Sequence, residues 1–273
     1  MADNASRIAF IGGGNMATAI IGGLVRQGLA PSDVVVVEPF EPARQRLDQE
    51  FGVQARAAPG PALATASMVV WAVKPQTFKE AAAQAQAHVA QALHLSVAAG
   101  IRSDSIAAWL GTERIVRSMP NTPALVGRGM TALYARAGVT PADRDRVEAV
   151  IATTGEHLWV EREEQLDAVT ALSGSGPAYV FYFLEAMEQA GAELGLSKEQ
   201  ARRLAVSTFA GASELARASA DPLATLRERV TSKGGTTYAA LTSMEEAGVK
   251  AQFVTAMHAA CKRATELGDE FGR

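Results

Sequence analysis

The chain has 273 residues, 48% of them hydrophobic and 20% charged, with a formal net charge of −3. That composition suits a globular protein with apolar material for one large core or two smaller ones, and it supplies no basic field for a nucleic acid or an anionic membrane surface. The lone cysteine, Cys261, excludes an internal disulfide, and His88, His94, His157 and His258 show no metal-ligand spacing, so no metal is expected.

At the N-terminus Asp3 precedes Arg7 with no sustained apolar stretch, so no leader is expected and the protein is read as cytoplasmic. Two uncharged runs, 8–25 and 81–101, are broken by glycines or by glutamines and histidines, and neither reads as a membrane span. Up to about Val160, short β-branched runs alternate with helical patterns. The runs at 7–11, 34–38, 68–73, 94–98 and 114–118 are candidate strands, and helices are expected near 15–27, 42–50, 77–91 and 103–110. Strand and helix in alternation imply a parallel sheet covered on both faces. Strands near 130–134 and 156–160, flanking a helix near 141–153, are expected to extend that sheet.

After about Glu163 the strand signal stops. Residues 1–162 therefore read as a dinucleotide-binding α/β domain and residues 163–273 as an all-helical one. A long helix is expected over 177–194, with Val180, Leu184, Met187, Gly191 and Leu194 on one face. The stretch "SKEQ" at 197–200 is a capping box for the next helix, and Asp221-Pro222 reads as a cap and first-turn proline for a third. Thr236 or Thr237 is expected to cap a fourth, closed by Gly248, and a final helix runs onward with Phe253, Met257 and Cys261 in line. These helices cannot all bury their apolar faces within one chain, so part of that surface is expected to pair with another subunit.

Chemistry is signalled at both ends of the chain. "FIGGGNMATAI" at 10–20 carries Gly12-x-Gly14-x-x-Ala17 at the first strand-to-helix turn. In that context Gly12 permits the tight turn, Gly14 lets a pyrophosphate approach the helix N-terminus, and Ala17 lets helix and strand pack closely. The acidic residue expected about 20 residues later is Glu38, whose carboxylate suits a ribose 2′-OH and favours NAD(H). Arg44, Arg46 and Arg56 lie close enough to pair with a 2′-phosphate instead, or are solvated surface, and the sequence leaves the choice between NADPH and NADH open. "AVKPQ" (72–76), "VAAGI" (97–101) and "RSMPNTP" (117–123) all follow strands, at the carboxyl edge where a dinucleotide sits. Lys74 faces cofactor oxygens or is an ordinary surface lysine, and Asn121 presents an amide suited to a carboxamide or a polar substrate group.

In the helical half, "VTSKGGTTY" (230–238) sets Thr231, Ser232, Thr236 and Thr237 around Gly234 and Gly235, more hydroxyls than a helix cap requires. "SGSGP" (173–177) is read as a helix start with Ser175 or Gly176 as cap, which also brings Ser175 toward cofactor or substrate.

These motifs, with "DAVTALSGSGPAYVF" (167–181) and "RVTSKGGTT" (229–237), occur in the order and spacing of pyrroline-5-carboxylate reductases, which the chain resembles from about Arg7 to Phe271. The resemblance implies a Rossmann domain, a helical domain that dimerises, often with further assembly to a decamer, and hydride transfer from NADPH or NADH to 1-pyrroline-5-carboxylate, the last step of proline synthesis. It places Gly12, Gly13, Gly14, Asn15, Met16, Ala72, Val73, Lys74, Pro75, Ala98, Ala99 and Gly100 at the cofactor, to which the reading of the residues themselves adds Glu38 and Asn121. Thr236 and Thr237 are implied to hold substrate, with the Thr237 hydroxyl near the imine nitrogen; the N–H groups around Gly234 and Gly235, the Ser232 hydroxyl and Ser175 are read as further substrate contacts from their own chemistry. The chain departs from the family pattern at Lys233, where proline is common, and at Glu38 and Pro59, where some NADPH-preferring members carry polar residues. Two rival readings are a β-hydroxyacid or 6-phosphogluconate type of dehydrogenase, which needs a catalytic lysine on the helix at 177–194 that this chain lacks, and a non-catalytic NAD(P)H sensor.

Overall fold

The computed structural model describes residues 7–272; Asp3 lies outside them. Two compact units are formed, one from residues up to Ser175 together with Ala260 onward, the other from Gly176–Ala259.

The first unit is built on an eight-stranded sheet: β1 (Ile8–Ile11), β2 (Val34–Val37), β3 (Ala55–Arg56), β4 (Met68–Trp71), β5 (Leu93–Ser96), β6 (Ile115–Met119), β7 (Gly129–Ala135) and β8 (Gly155–Trp159). The spatial order is β3-β2-β1-β4-β5-β6-β7-β8. Strand reversal beside β1 opens a crevice at the carboxyl ends of β1 and β4, where dinucleotides bind in such sheets. The sheet is parallel as expected except at one pair: β7, which extends it, runs antiparallel to β6, with Arg117 opposite Tyr134. Only the segment 120–128 joins them, too short for the crossover a parallel pair requires.

Strand alternation divides the core. Ile8 and Phe10 point to one face with Ile20, Ile21 and Leu24 of α1 (Asn15–Arg26), Leu47 of α2 (Glu41–Phe51), and Val147 and Ile151 of α5 (Pro141–Ile151). Ala9 and Ile11 point to the other, with Phe78, Ala82 and Ala85 of α3 (Pro75–Val89) and Ile106 and Leu110 of α4 (Ser103–Leu110). The continuous apolar runs of the strands follow from burial on both faces. Ion pairs, half-buried or buried, fasten the far side of the sheet. Asp143 takes two bonds from Arg114, at 2.6 and 3.0 Å, and Glu163 takes one from Arg117 at 2.8 Å. Arg114 holds the Asp143 carboxyl down at about 2, aided by the capping box with Thr140.

One buried base matters for stability. His94, on β5, accepts a hydrogen bond at Nδ1 from Trp71 Nε1 at 3.1 Å and is fully buried. Burial, reinforced by Arg114, lowers its pKa from 6.5 to about 4. The folded protein therefore keeps His94 neutral while the unfolded chain takes up a proton as pH falls below 6.5. The stability present above pH 6.5 is lost on the way down to pH 4, by about 3 kcal/mol at the limit. Urea midpoints measured between pH 7 and 4 are expected to fall more steeply for the native sequence than for His94→Asn, whose amide oxygen can take the Trp71 bond without titrating.

A short helix α6 (Gln165–Val169) passes through a π-helical turn, Thr170–Gly174, into α7 (Gly176–Glu193). The Ser175 N–H donates to the Thr170 carbonyl five residues back, so "SGSGP" is not a helix start capped by Ser175 or Gly176; it continues an existing helix with wider winding. The second unit holds α7, α8 (Lys198–Ala218), α9 (Leu223–Arg229), α10 (Thr236–Glu246) and the first part of α11 (Val249–Phe271). The capping box of α8 forms as read, Ser197 with Gln200 in both directions. Gly191 lets α7 lie directly on Ala201 of α8, where a Cβ would meet the Ala201 Cβ at 2.7 Å. Two other caps differ. Asp221 binds Arg229 at 2.6 Å instead, and Pro222 takes the cap position of α9. Gly235, not Thr236 or Thr237, precedes α10, and no side chain caps that helix. No helix among the described residues is long and apolar enough to cross a membrane.

Candidate active site

The turn after β1 is set by backbone chemistry. Gly12 stands at φ +101, and its N–H donates to the Val37 carbonyl at 2.8 Å. A Cβ there would lie 2.5 Å from the Ala72 oxygen. Gly14 opens α1 without a side-chain cap, and a Cβ on it would meet nothing within 4 Å. The uncapped N–H groups of the first turn, with no acidic side chain among them, make a ready anion site.

Around this turn lies a cleft of about 680 Å³. Of the residues read from the sequence, Gly12, Gly14, Glu38, Arg46, Pro59, Ala72, Val73 and Lys74 line it. Gly13 stands behind Glu38, while Asn15 and Met16 begin α1 and Pro75 begins α3. Ala98, Ala99 and Gly100 follow β5 at the same edge of the sheet, away from the cleft lining. Asn121 is engaged at both ends of its amide: Nδ2 donates to the Ser173 carbonyl at 3.1 Å and Oδ1 accepts from the Met130 N–H at 2.9 Å. It fastens the loop after β6 to β7 and to the π-helical turn.

Glu38 is held firmly. Its Oε2 accepts from the Gly13 N–H at 2.7 Å and its Oε1 from the Phe40 N–H at 2.8 Å. The nearby arginines are turned onto backbone. Arg44 donates to the carbonyls of Glu38 and Pro39 at 2.9 and 2.6 Å, and Arg46 donates to the Gly13 carbonyl at 3.3 Å and to Thr18 Oγ1 at 3.2 Å. Arg56, on β3, is not part of the cleft wall. Phe40 also lines the cleft and is 65% exposed, an aromatic surface the sequence reading passed over. The only available signal was its place two residues beyond Glu38.

In the second unit the glycine–hydroxyl segment is a tight turn leading into α10. Thr231 Oγ1 donates to the Arg227 carbonyl at 2.7 Å, Gly234 stands at φ +73, and the Gly235 N–H donates to the Ser232 carbonyl at 3.0 Å. A Cβ on Gly235 would lie 2.6 Å from Ser232 Oγ. Because no side chain caps α10, the hydroxyls of Thr236 and Thr237 and the first-turn N–H groups are left for something other than the helix. Ser175, by contrast, ends the first unit, half-buried beside the π-helical turn. Among the described residues no cluster of His, Cys, Asp or Glu is able to hold a metal ion.

Comparisons with known proteins match both halves of the chain. Residues 163–267 match the family model for pyrroline-5-carboxylate reductase dimerisation, and residues 7–100 match that for the NADP oxidoreductases dependent on coenzyme F420. The chain is 44% identical to the pyrroline-5-carboxylate reductase of Pseudomonas aeruginosa over 98% of both chains. It superimposes on the Coxiella burnetii enzyme with a TM-score of 0.88, at 36% identity and covering 96% of this chain and 98% of that one. For the Plasmodium falciparum pyrroline carboxylate reductase with NADP bound the TM-score is 0.86, at 27% identity over 96% and 98%. Exposed Val180, Phe181, Tyr182 and Met187 of α7 fall in the dimerisation match. A C-terminal stretch that matches the reductase dimerisation model and relatives aligned end to end lead to one conclusion: the chain belongs to the pyrroline-5-carboxylate reductase family.

Proposed function

We propose that the chain reduces 1-pyrroline-5-carboxylate to proline, that the cleft beside Gly12 and Glu38 takes the reduced dinucleotide, and that the loop at 231–237 takes the substrate. The observation that carries the reading is the uncapped N-terminus of α10. Its free N–H groups and the turn at Gly234-Gly235 offer an anion site for a carboxylate, while Thr237 adds a hydroxyl one residue into the helix.

The first-turn N–H groups of α1 suit the pyrophosphate, and the open space at Gly14 admits it. When bound, the dinucleotide supplies the hydride that converts the C=N carbon to CH₂. The rest falls to the protein. The α10 terminus orients the ring through its carboxylate, and the Thr237 hydroxyl, within the same turn, donates to the imine nitrogen as negative charge arrives there. A cyclic imine is readily protonated, so no buried acid is needed, and no lysine stands on α7 to serve a dehydrogenase instead. Ser232, Thr236 and Ser175 are assigned to the substrate as further donors. The second unit is proposed to pair with its counterpart in a homodimer, with a decamer as the larger assembly.

Glu38 favours NADH over NADPH in this reading. Its carboxylate is pinned by two N–H groups at the place of the ribose, and Arg44 and Arg46 spend donors on backbone carbonyls. Steady-state rates with pyrroline-5-carboxylate and each cofactor test this. Glu38→Gln removes the charge yet keeps an acceptor for Gly13, and is expected to raise the NADPH-to-NADH ratio of kcat/KM by about tenfold. An unchanged ratio would take the ribose away from Glu38.

A further inference from the structure

The loop after β5 is braced by the last turns of α11. Gly100 stands at φ +73, and a Cβ on it would lie 3.3 Å from Leu267 Cβ and 3.6 Å from Phe271 Cδ2. Two residues on, Arg102 donates to Asp269 Oδ1 at 2.7 Å. The same guanidinium passes over Gly268, where a Cβ would come within 3.0 Å of Nε. Ser105 Oγ donates to the Gly272 carbonyl at 2.9 Å, and Phe271 packs against the core that α3 and α4 cover. Gly268 is buried within α11, where glycine costs about 1 kcal/mol relative to alanine. Room for Arg102 accounts for it. The last turns of α11 are thus tied at several points to a single stretch, Gly100–Ser105.

We infer that the last turns of α11, through Leu267, Gly268, Asp269 and Phe271, are a positioning element for the Ala98–Gly100 loop and so set the affinity for the nicotinamide half of the dinucleotide. The inference rests on the cofactor reading given above. Strand order selects the half: Glu38 follows β2 on one side of β1, and Ala98–Gly100 follows β5, beyond β4 on the other. A dinucleotide with its adenosine ribose at Glu38 crosses the sheet edge toward β5 with its nicotinamide end. None of the four bracing residues lines the cleft; what they touch is the loop at Gly100 and Arg102 beside it.

The test uses the full chain with Leu267→Ala/Phe271→Ala, and separately Asp269→Ala, whose side chain is 63% exposed. Calorimetry gives dissociation constants for NADH and for ADP-ribose, which lacks the nicotinamide, and steady-state rates give KM and kcat. NADH binding is expected to weaken about fivefold in the double variant, less in Asp269→Ala, with ADP-ribose binding unchanged and KM for NADH rising more than kcat falls. Asp269→Glu is expected to restore the binding lost in Asp269→Ala. Equal weakening of both ligands, or a lowered melting temperature with both affinities intact, would overturn the inference and leave the brace a matter of stability alone. Failure of the unaltered chain to bind NADH would remove the cofactor reading and the inference with it.

Discussion

Thr237→Val is expected to lower kcat by about 100-fold, within the range for loss of one positioned proton donor, while the dissociation constant for NADH stays unchanged. Valine keeps the shape and the branching of threonine and removes only the hydroxyl. Stability offers little cover for another explanation, because Gly235 precedes α10 and no side chain caps it. The helix therefore loses no capping bond. Thr237→Ser, which keeps the hydroxyl, is expected to retain most of the activity. Single-turnover rates, with melting temperature and NADH binding in parallel, separate the outcomes. Unchanged turnover in Thr237→Val would remove this hydroxyl from the mechanism; lost NADH binding would place it in the cofactor site.

Gly12→Ala is expected to cost about 3 kcal/mol or more, a fall in melting temperature on the order of 10 °C for a chain of this size. Two costs coincide there. The backbone stands at φ +101, and the added Cβ would lie 2.5 Å from the oxygen and 2.7 Å from the carbon of Ala72. Those neighbours are backbone of the opposite cleft wall and cannot swing aside as a side-chain end would. Gly14→Ala makes the contrast. At φ −73, with nothing within 4 Å, its Cβ disturbs no protein atom, so stability should hold. The same Cβ enters the space assigned to the pyrophosphate, and NADH binding should weaken. Equal losses of stability in the two variants would contradict the distinction between a glycine needed by the chain and one needed by the ligand.

Much of the architecture was legible because strands buried on both faces read as runs of valine and isoleucine, as Val34–Val37 shows. The two-residue β3, Ala55–Arg56, has no such run and exists only through pairing with Val36 and Val37. The sense of β7 was readable in principle, since nine residues cannot carry a crossover helix, but composition alone does not report it. Caps were legible where nothing competes for the side chain. Ser197 bonds Gln200 as expected, whereas Arg229, in the last turn of α9, claims Asp221. The π-helical turn at Thr170–Gly174 lacks any period that a sequence displays.

At the site, spacing sufficed for Gly12 and Glu38, because a turn between a strand and a helix leaves few options. It did not reveal that Arg46 faces the Gly13 carbonyl, which depends on how α2 approaches α1, nor that both ends of the Asn121 amide are held by backbone. The brace from α11 joins residues far apart in the chain, Arg102 and Asp269, and only the folded structure brings them together.

The most direct test of the whole account follows the transferred hydrogen. The purified chain is given 1-pyrroline-5-carboxylate and NADH deuterated at the transferable C4 position, and the product is examined by mass spectrometry and NMR. The account predicts proline carrying one deuterium at C5, the former imine carbon. Absence of proline from a folded protein that binds NADH, or proline free of deuterium, would contradict it.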